Sequence, residues 1–156
     1  MRNSNKKYLI SYGVSPLDRA KRAFWKTAIY PVFPVLRNVA VPFRIISGRY
    51  RRQRFPIGYL RKNRTARDFA EYLKVIGFIK HPIALKDPGQ ILSMRKLVGL
   101  KYQYHLRVFK DGEVRGHYEK TPECHAVAHL FQLGQEARTN DFLELLKGWI
   151  AKDEPE

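Results

Sequence analysis

Acidic residues are nearly missing from the first part of this 156-residue chain. Residues 1–64 contain one acid, Asp18, against 16 lysines and arginines, whereas residues 65–156 hold 14 basic and 13 acidic side chains. Almost all of the formal charge of +16 therefore belongs to the N-terminal part. This asymmetry predicts a basic helical or extended arm over 1–64, an α+β domain over 65–152 and a short acidic tail over 153–156.

Cysteine is equally scarce, because Cys124 is the only one in the chain. An intrachain disulfide and a cysteine-rich zinc ribbon are both excluded. The first residues also lack the apolar core of a secretory signal. We therefore expect a reducing compartment and a cytoplasmic location.

Long uninterrupted apolar runs are missing too. The longest apolar stretch, from Ala28 to Gly48, contains two arginines and three prolines. A membrane-spanning helix needs about 20 mostly apolar residues with few or no charges. The sequence therefore does not predict a transmembrane segment.

Motifs for nucleotide binding or nucleophilic catalysis are not found: there is no P-loop, dinucleotide fingerprint or G-x-S-x-G turn. His125 and His129 are four residues apart and would share one face of a helix. They could bind one metal ion with a further ligand from Glu123, Cys124, His105 or His117. A single HxxxH pair is common by chance, so we predict no metal, no cofactor and no catalytic residue. A metal-dependent enzyme using His125 and His129 remains an alternative.

Three helices are predicted from caps and periodicity. The first begins at Ser15-Pro16 and should stop near Pro31. Its apolar stripe consists of Leu17, Ala20, Phe24 and Ala28. A further, broken helical stretch is possible over 35–46. The next runs from Thr65, with Asp68 at the capping-box position, to Gly77. The last begins at Thr139 or Asn140 and carries its apolar face to Ile150.

A hairpin around Lys110-Asp111-Gly112 is the clearest strand signal. A three-residue loop with Gly112 in the left-handed conformation pairs Val108 with Val114 and makes one face apolar. The same register sets Arg107 across from Arg115 and His105 across from His117, on a face that either meets solvent or binds a phosphate. Residues 88–98 are predicted to add a third strand.

The segment GRYRRQRFPIGYLRKNR, residues 48–64, interleaves basic and aromatic side chains without one acid. Arginine pairs with phosphates in bidentate geometry, and aromatic rings stack on unstacked bases, which favours RNA or single-stranded nucleic acid. The predicted nucleic-acid-binding residues are Arg49, Tyr50, Arg51, Arg52, Arg54, Phe55, Tyr59, Arg61, Lys62 and Arg64, extended by Arg107 and Arg115.

The sequence thus predicts an α+β fold: N-terminal helices and a basic arm, then a small antiparallel β-meander covered by a C-terminal helix. It favours a non-enzymatic, arginine-rich protein that binds nucleic acid, with RNA preferred, as part of a larger ribonucleoprotein assembly. The alternative partner is an anionic membrane surface, bound through the basic amphipathic helix that carries Phe24, Trp25 and Ile29.

Overall fold

A six-stranded antiparallel sheet organises the chain. The computed structural model describes residues 15–40, 55–81, 83, 87–126, 129 and 134–152. The sheet order is β2-β3-β4-β5-β1-β6. Its strands are β1 (Pro56–Leu60), β2 (Ile79–Lys80), β3 (Gln90–Val98), β4 (Tyr102–Phe109), β5 (Glu113–Lys120) and β6 (Ile150–Ala151). The helices are α1 (Pro16–Phe24), α2 (Tyr30–Ala40), α3 (Ala66–Val75) and α4 (Thr139–Leu145). The predicted α+β class is confirmed.

The β4–β5 hairpin has the predicted register. Val108 pairs with Val114, Leu106 with Gly116, and Arg107 with Arg115. Gly112 closes the loop with a φ of 85°, the left-handed conformation that glycine adopts without steric cost. The third strand predicted over 88–98 is confirmed as β3, which pairs with β4.

Helix α3 is also as predicted at both ends. The Thr65 side chain accepts a hydrogen bond from the Asp68 amide at 3.1 Å, and Gly77 follows the helix with positive φ. Phe69 and Leu73 are fully buried in the core. They pack on the same face of the sheet as Leu106 and Phe142, so α3 and α4 cover this apolar face together.

Helix α4 is shorter than predicted. It begins after Arg138, which has left-handed geometry, so the predicted caps Thr139 and Asn140 lie within its first turn. It ends at Leu145, and Ile150 belongs to β6 instead of the helix. The apolar residues at its end therefore reach the core by two routes: Phe142 and Leu146 from the helical segment, and Ile150 from a strand that pairs with Leu60.

The N-terminal helix starts as predicted but does not stop at Pro31. The Ser15 side chain caps α1 through the Asp18 amide, at 3.1 Å. A π-helical turn, Trp25–Ile29, then leads into α2, which contains Pro34. In a π-helical turn each amide bonds to the carbonyl five residues earlier instead of four, and this local change lets the helix continue through Pro34. The predicted continuation over 41–46 lies outside the described residues.

Strand β1 is an element that the sequence did not predict. Proline and glycine at positions 56 and 58 weaken the strand signal, and basic residues flank the segment. Nevertheless β1 lies inside the sheet, with Gly58 paired to Val114 of β5 and Leu60 paired to Ile150 of β6. The last part of the predicted arm is therefore joined to the sheet, while residues 41–54 lie outside the described part of the chain.

Candidate functional site

The face of the sheet opposite Leu106 is polar, and it is buried. Strand alternation puts Gln103, His105 and Arg107 of β4 on this face, together with His117 and Glu119 of β5. All five are less than a tenth exposed. The face is therefore neither solvated nor open to a phosphate, as the two sequence-based interpretations required. Buried polar groups need partners from the protein itself.

Histidines from three parts of the chain surround the Glu119 carboxylate. His117 Nε2 lies 3.0 Å from one carboxylate oxygen, and His129 Nδ1 lies 3.4 Å from the same oxygen. His105 Nδ1 lies 3.4 Å from the other oxygen. The ring of His81 packs 4.3 Å from that of His105, measured between centroids. Four of the five histidines in the chain thus meet at one carboxylate.

Two amide side chains complete the hydrogen bonding of Glu119. Gln103 Nε2 donates to one oxygen at 2.8 Å, and Gln135 Nε2 donates to the other at 3.1 Å. The carbonyl oxygen of Gln103 accepts from Arg95 at 3.2 Å. Glu119 is therefore held in one orientation by donors on both of its oxygens.

The surroundings fix the protonation states of this cluster. Burial acts to raise the pKa of Glu119, but contacts with His105, His117 and His129 outweigh it and hold the pKa well below the usual range. Burial lowers the pKa of His105 to about 3 and also lowers that of His81 well below 6.5. At pH 7 the cluster therefore contains a carboxylate anion beside two neutral imidazoles.

A second buried group links helix α2 to the sheet. The Arg95 guanidinium forms a two-bond ion pair with the Glu123 carboxylate, at 2.8 and 3.2 Å. The Tyr30 hydroxyl of α2 donates to the same carboxylate and accepts from Arg95 at 3.2 Å. Burial raises the pKa of Glu123, but Arg95 reverses the effect, so the net shift is downward. This group anchors the N-terminal helices over the polar face.

Arg107 and Arg115, which were predicted to extend a nucleic-acid surface, are paired with acids. Arg107 forms an ion pair with Asp87, and Arg115 forms one with Glu113 at 2.6 Å. The side chains of both arginines are largely buried. Their mutual repulsion across the strands is therefore offset by carboxylates of this chain, with no need for an external anion.

The other predicted nucleic-acid-binding residues separate into two sets. Those in the described part are Phe55, Tyr59, Arg61, Lys62 and Arg64. Arg61, Lys62 and Arg64 are exposed in the loop after β1, and the Arg64 guanidinium lies 4.4 Å above the Trp149 ring. Phe55 and Tyr59 are half-buried. The second set lies outside the described residues: Arg49, Tyr50, Arg51, Arg52 and Arg54.

His125 and His129 are one helical turn apart, as their spacing suggested, and the His129 amide donates to the His125 carbonyl at 2.9 Å. Only His129 contacts Glu119. The charges that act on His125 come from Lys120, Lys101 and Lys21, and burial together with these lysines lowers its pKa. Within the described residues, the group with metal-ligand spacing is instead His81, His105 and Glu119.

Sequence reasoning did not find His81, Glu119 or Gln103. A signal for two of them was present, because strict alternation puts Gln103 on the face of His105 and Glu119 on the face of His117. That pattern does not reveal what covers the face. His81 follows a two-residue strand, which is too short to carry a periodic signal.

The chain is thus an α+β protein in which the central strands β4 and β5 are buried on both faces. No protein-family model, curated protein sequence or solved structure matches it. Among the described residues, every helix is too short or too polar to cross a membrane.

Proposed function

We propose that this chain is a non-enzymatic nucleic-acid-binding protein that prefers RNA or single-stranded nucleic acid and works within a larger ribonucleoprotein assembly. The observation that carries the proposal is the charge distribution, with 16 basic residues and one acid over residues 1–64. Lysine and arginine side chains that neutralise phosphates release counterions, which supplies affinity without sequence specificity. Eight of the nine basic residues over 37–64 are arginines, which add bidentate contacts and stacking.

The loop after β1 supports the proposal from the structural side. Arg61, Lys62 and Arg64 are exposed, and Arg61 Nε donates to the Ile150 carbonyl at 3.4 Å. The cation–π contact between Arg64 and Trp149 offers a flat guanidinium surface on which a base could stack. Because β1 belongs to the sheet, this loop at the end of the basic arm starts from a rigid element. The proposal rests on the arm and this loop, since Arg107 and Arg115 already have acidic partners.

The test measures binding of labelled single-stranded RNA, duplex RNA and duplex DNA to the full chain across a salt series. Truncation at residue 64 would remove β1 from the sheet, so charge substitutions are the better tool. We expect two triple variants to weaken binding. One carries Arg51→Gln, Arg52→Gln and Arg54→Gln, and the other carries Arg61→Gln, Lys62→Gln and Arg64→Gln. Each lost phosphate contact should reduce the slope of log K against log salt by about 0.7 for a single strand.

A control variant removes the same charge from outside residues 1–64: Lys74→Gln, Lys80→Gln, Lys101→Gln. These lysines are exposed and lie outside the arm. If the control variant lowers the affinity for RNA as much as either triple variant of residues 1–64 does, binding depends on net charge alone and the arm has no particular role. If no nucleic acid binds at low salt, the proposal is wrong.

A second candidate function, attachment to an anionic membrane surface, is favoured by one specific observation. The predicted apolar stripe of the N-terminal helix faces solvent: Leu17 is 62% exposed and Phe24 is 58% exposed. Val32 and Val35 continue the exposed stripe along α2. Exposed basic residues Arg19, Lys21 and Lys26 accompany it. An interfacial helix has this composition, with apolar residues for the acyl boundary and cations for anionic headgroups.

Vesicles distinguish the two functions. Sedimentation with vesicles containing phosphatidylserine should be lost when Leu17 and Phe24 are replaced by serine, because both side chains are exposed. Trp25 is a poorer choice, since it is half-buried and packs 6.0 Å from the Tyr30 ring. A nucleic-acid-binding protein should keep its RNA affinity in this serine variant and lose it in the arginine variants. The reverse pattern would establish membrane binding.

A further inference from the structure

The polar cluster on the sheet contains three side chains with the spacing of metal ligands. One atom from each of His81, His105 and Glu119 lies within 4.8 Å of the other two. All three residues are buried, and they come from the end of β2, the middle of β4 and the end of β5. The strand pairing of a rigid sheet therefore sets the positions of two of the three. Imidazole and carboxylate together are a common donor set for zinc in proteins.

One distance between these ligands matches a metal-bound geometry. His105 Nδ1 and a Glu119 oxygen are 3.4 Å apart. Two ligands of a tetrahedral zinc ion, each bonded at about 2.0–2.1 Å, are separated by about 3.3–3.4 Å. The other ligand atoms lie within 4.8 Å of one another, so they would have to approach by up to about 1.4 Å to bind the same ion.

A second observation, independent of the spacing, points to a missing ligand. His81 is only 5% exposed, and its Nδ1 atom has no hydrogen-bond partner. Its other ring nitrogen lies 3.3 Å from the Gln103 amide nitrogen. A metal ion needs a lone pair on the ring, so binding through Nδ1 would place the ring proton on Nε2 and replace this long contact with Gln103. Buried polar atoms of this kind are rare, and they mark places where water, an ion or a ligand belongs.

The residues around the cluster behave as outer partners of metal ligands do. Without a metal, His105 Nε2 accepts from Arg107 Nε at 3.5 Å, and the proton on Nδ1 faces Glu119 at 3.4 Å. A metal ion bound at Nδ1 would replace this proton, and the ring would then carry its proton on Nε2, where Ser93 Oγ at 3.0 Å can accept it. Gln103 holds the Glu119 oxygen that faces His105.

We propose that His81, His105 and Glu119 bind one divalent transition-metal ion, with Zn²⁺ the best match. His129 borders the site, because its Nδ1 lies 3.4 Å from Glu119 and its ring stacks 5.9 Å from that of His81. It is one candidate for a fourth ligand, and His117, whose Nε2 lies 3.0 Å from the same Glu119 oxygen, is another. The positive charges of Arg95 and Arg107 are balanced by Glu123 and Asp87.

This site departs from the sequence-based expectation in two ways. The sequence predicted no metal, and its alternative was a site built on His125 and His129, with Glu123, Cys124, His105 or His117 as a further ligand. His81 was not considered, and His125 does not take part. The inference is independent of nucleic-acid or membrane binding, because it concerns residues on the buried face of the sheet. Its test therefore contains neither nucleic acid nor lipid.

The experiment uses the full chain without an affinity tag. Metal is removed with a chelator, Zn²⁺ binding is measured by calorimetric titration, and Co²⁺ is added as a spectroscopic probe. We expect one ion per chain and the intense visible absorption of tetrahedral Co²⁺. His81→Gln and Glu119→Gln should weaken binding by more than about 100-fold, because loss of an outer partner alone typically costs 10–100-fold. Ser93→Ala should weaken it by about 10-fold.

His125→Gln is the matched control, because it removes a half-buried histidine outside the cluster. It should leave the affinity for Zn²⁺ unchanged. If Glu119→Gln fails to fold, His81→Gln decides the question, because its Nδ1 makes no hydrogen bond that folding would lose. The proposal is overturned if the wild-type chain binds neither ion at millimolar concentration. It is also overturned if His125→Gln loses as much affinity as His81→Gln.

Discussion

The ion pair between Arg95 and Glu123 supports the sharpest stability prediction. Their side chains are 3% and 2% exposed, and two hydrogen bonds join them. Arg95→Met leaves the Glu123 carboxylate buried without its cation. Removal of one partner from a buried pair costs about 3–5 kcal/mol, because the remaining charge is uncompensated. Since a domain of this size is stable by about 5–15 kcal/mol in total, this variant should be near the limit of folding.

Replacement of both partners should be much less harmful than replacement of one. In Arg95→Met, Glu123→Met no unpaired charge is left, and two apolar side chains of similar volume fill the space. Tyr30 and Gln103 each lose a hydrogen-bond partner, so some loss remains. Since each single variant should cost about 3–5 kcal/mol and the double variant less than either, the double-mutant cycle should give a coupling energy of more than about 3 kcal/mol.

The assay is urea denaturation followed by far-UV circular dichroism for the wild type, both single variants and the double variant. With a urea m-value of about 2 kcal/mol/M, a loss of 3–5 kcal/mol corresponds to a fall in the unfolding midpoint of about 1.5–2.5 M. The matched control is the pair Lys74 and Glu71, which has a 2.7 Å contact but is 58% and 64% exposed. Lys74→Met should cost less than about 0.5 kcal/mol. If Arg95→Met costs no more than this control, the reasoning about buried charge is refuted.

Three further predictions can be checked by the same unfolding measurements. Glu123→Gln removes a carboxyl group whose folded pKa is below its ordinary value of 4.5. The stability advantage of the wild type over this variant should therefore be full above pH 4.5 and shrink as the pH falls through the folded pKa; an advantage that is constant down to pH 3 would contradict the assignment. Gly58→Ala would bring a methyl group within 2.1 Å of the Ala151 carbonyl oxygen, whereas a methyl group at Gly112 would meet nothing within 4 Å. Gly58→Ala should therefore lower the free energy of unfolding at least twice as much as Gly112→Ala. Equal losses of stability would mean that backbone strain alone matters. Thr65→Ala should cost about 1 kcal/mol through loss of the α3 cap, whereas Thr65→Ser should be nearly neutral.

The hairpin and α3 could be predicted because their signals are local. Gly112 fixes the loop, and the loop fixes which residues of β4 and β5 face each other. Thr65 and Gly77 likewise mark the ends of α3 within a few residues of sequence. Such features depend on the short-range geometry of the chain, so a single sequence contains them.

The buried polar face could not be predicted, because burial depends on distant segments. Alternation along β4 identified the side of the sheet on which His105 lies. The residues that bury this side are Tyr30 of α2, Glu123 and Gln135, which are distant in the sequence. Their approach depends on tertiary packing. The length of α4 was wrong for a similar reason: pairing of Ile150 with β1 overrides the helical periodicity of the C-terminal segment.

The two buried faces of the sheet have a consequence for how uniquely the chain folds. A strand that slips by one residue relative to its neighbour turns every side chain to the opposite face. In β4 such a slip would drive His105 and Arg107 into the space of Leu106 and Val108, and it would carry those aliphatic side chains away from the core. In a sheet with one solvent-exposed face, that face would accept polar or apolar side chains after such a slip. Here both sides would resist it, so the ionic layer selects a single alignment of the strands even where its net contribution to stability is small.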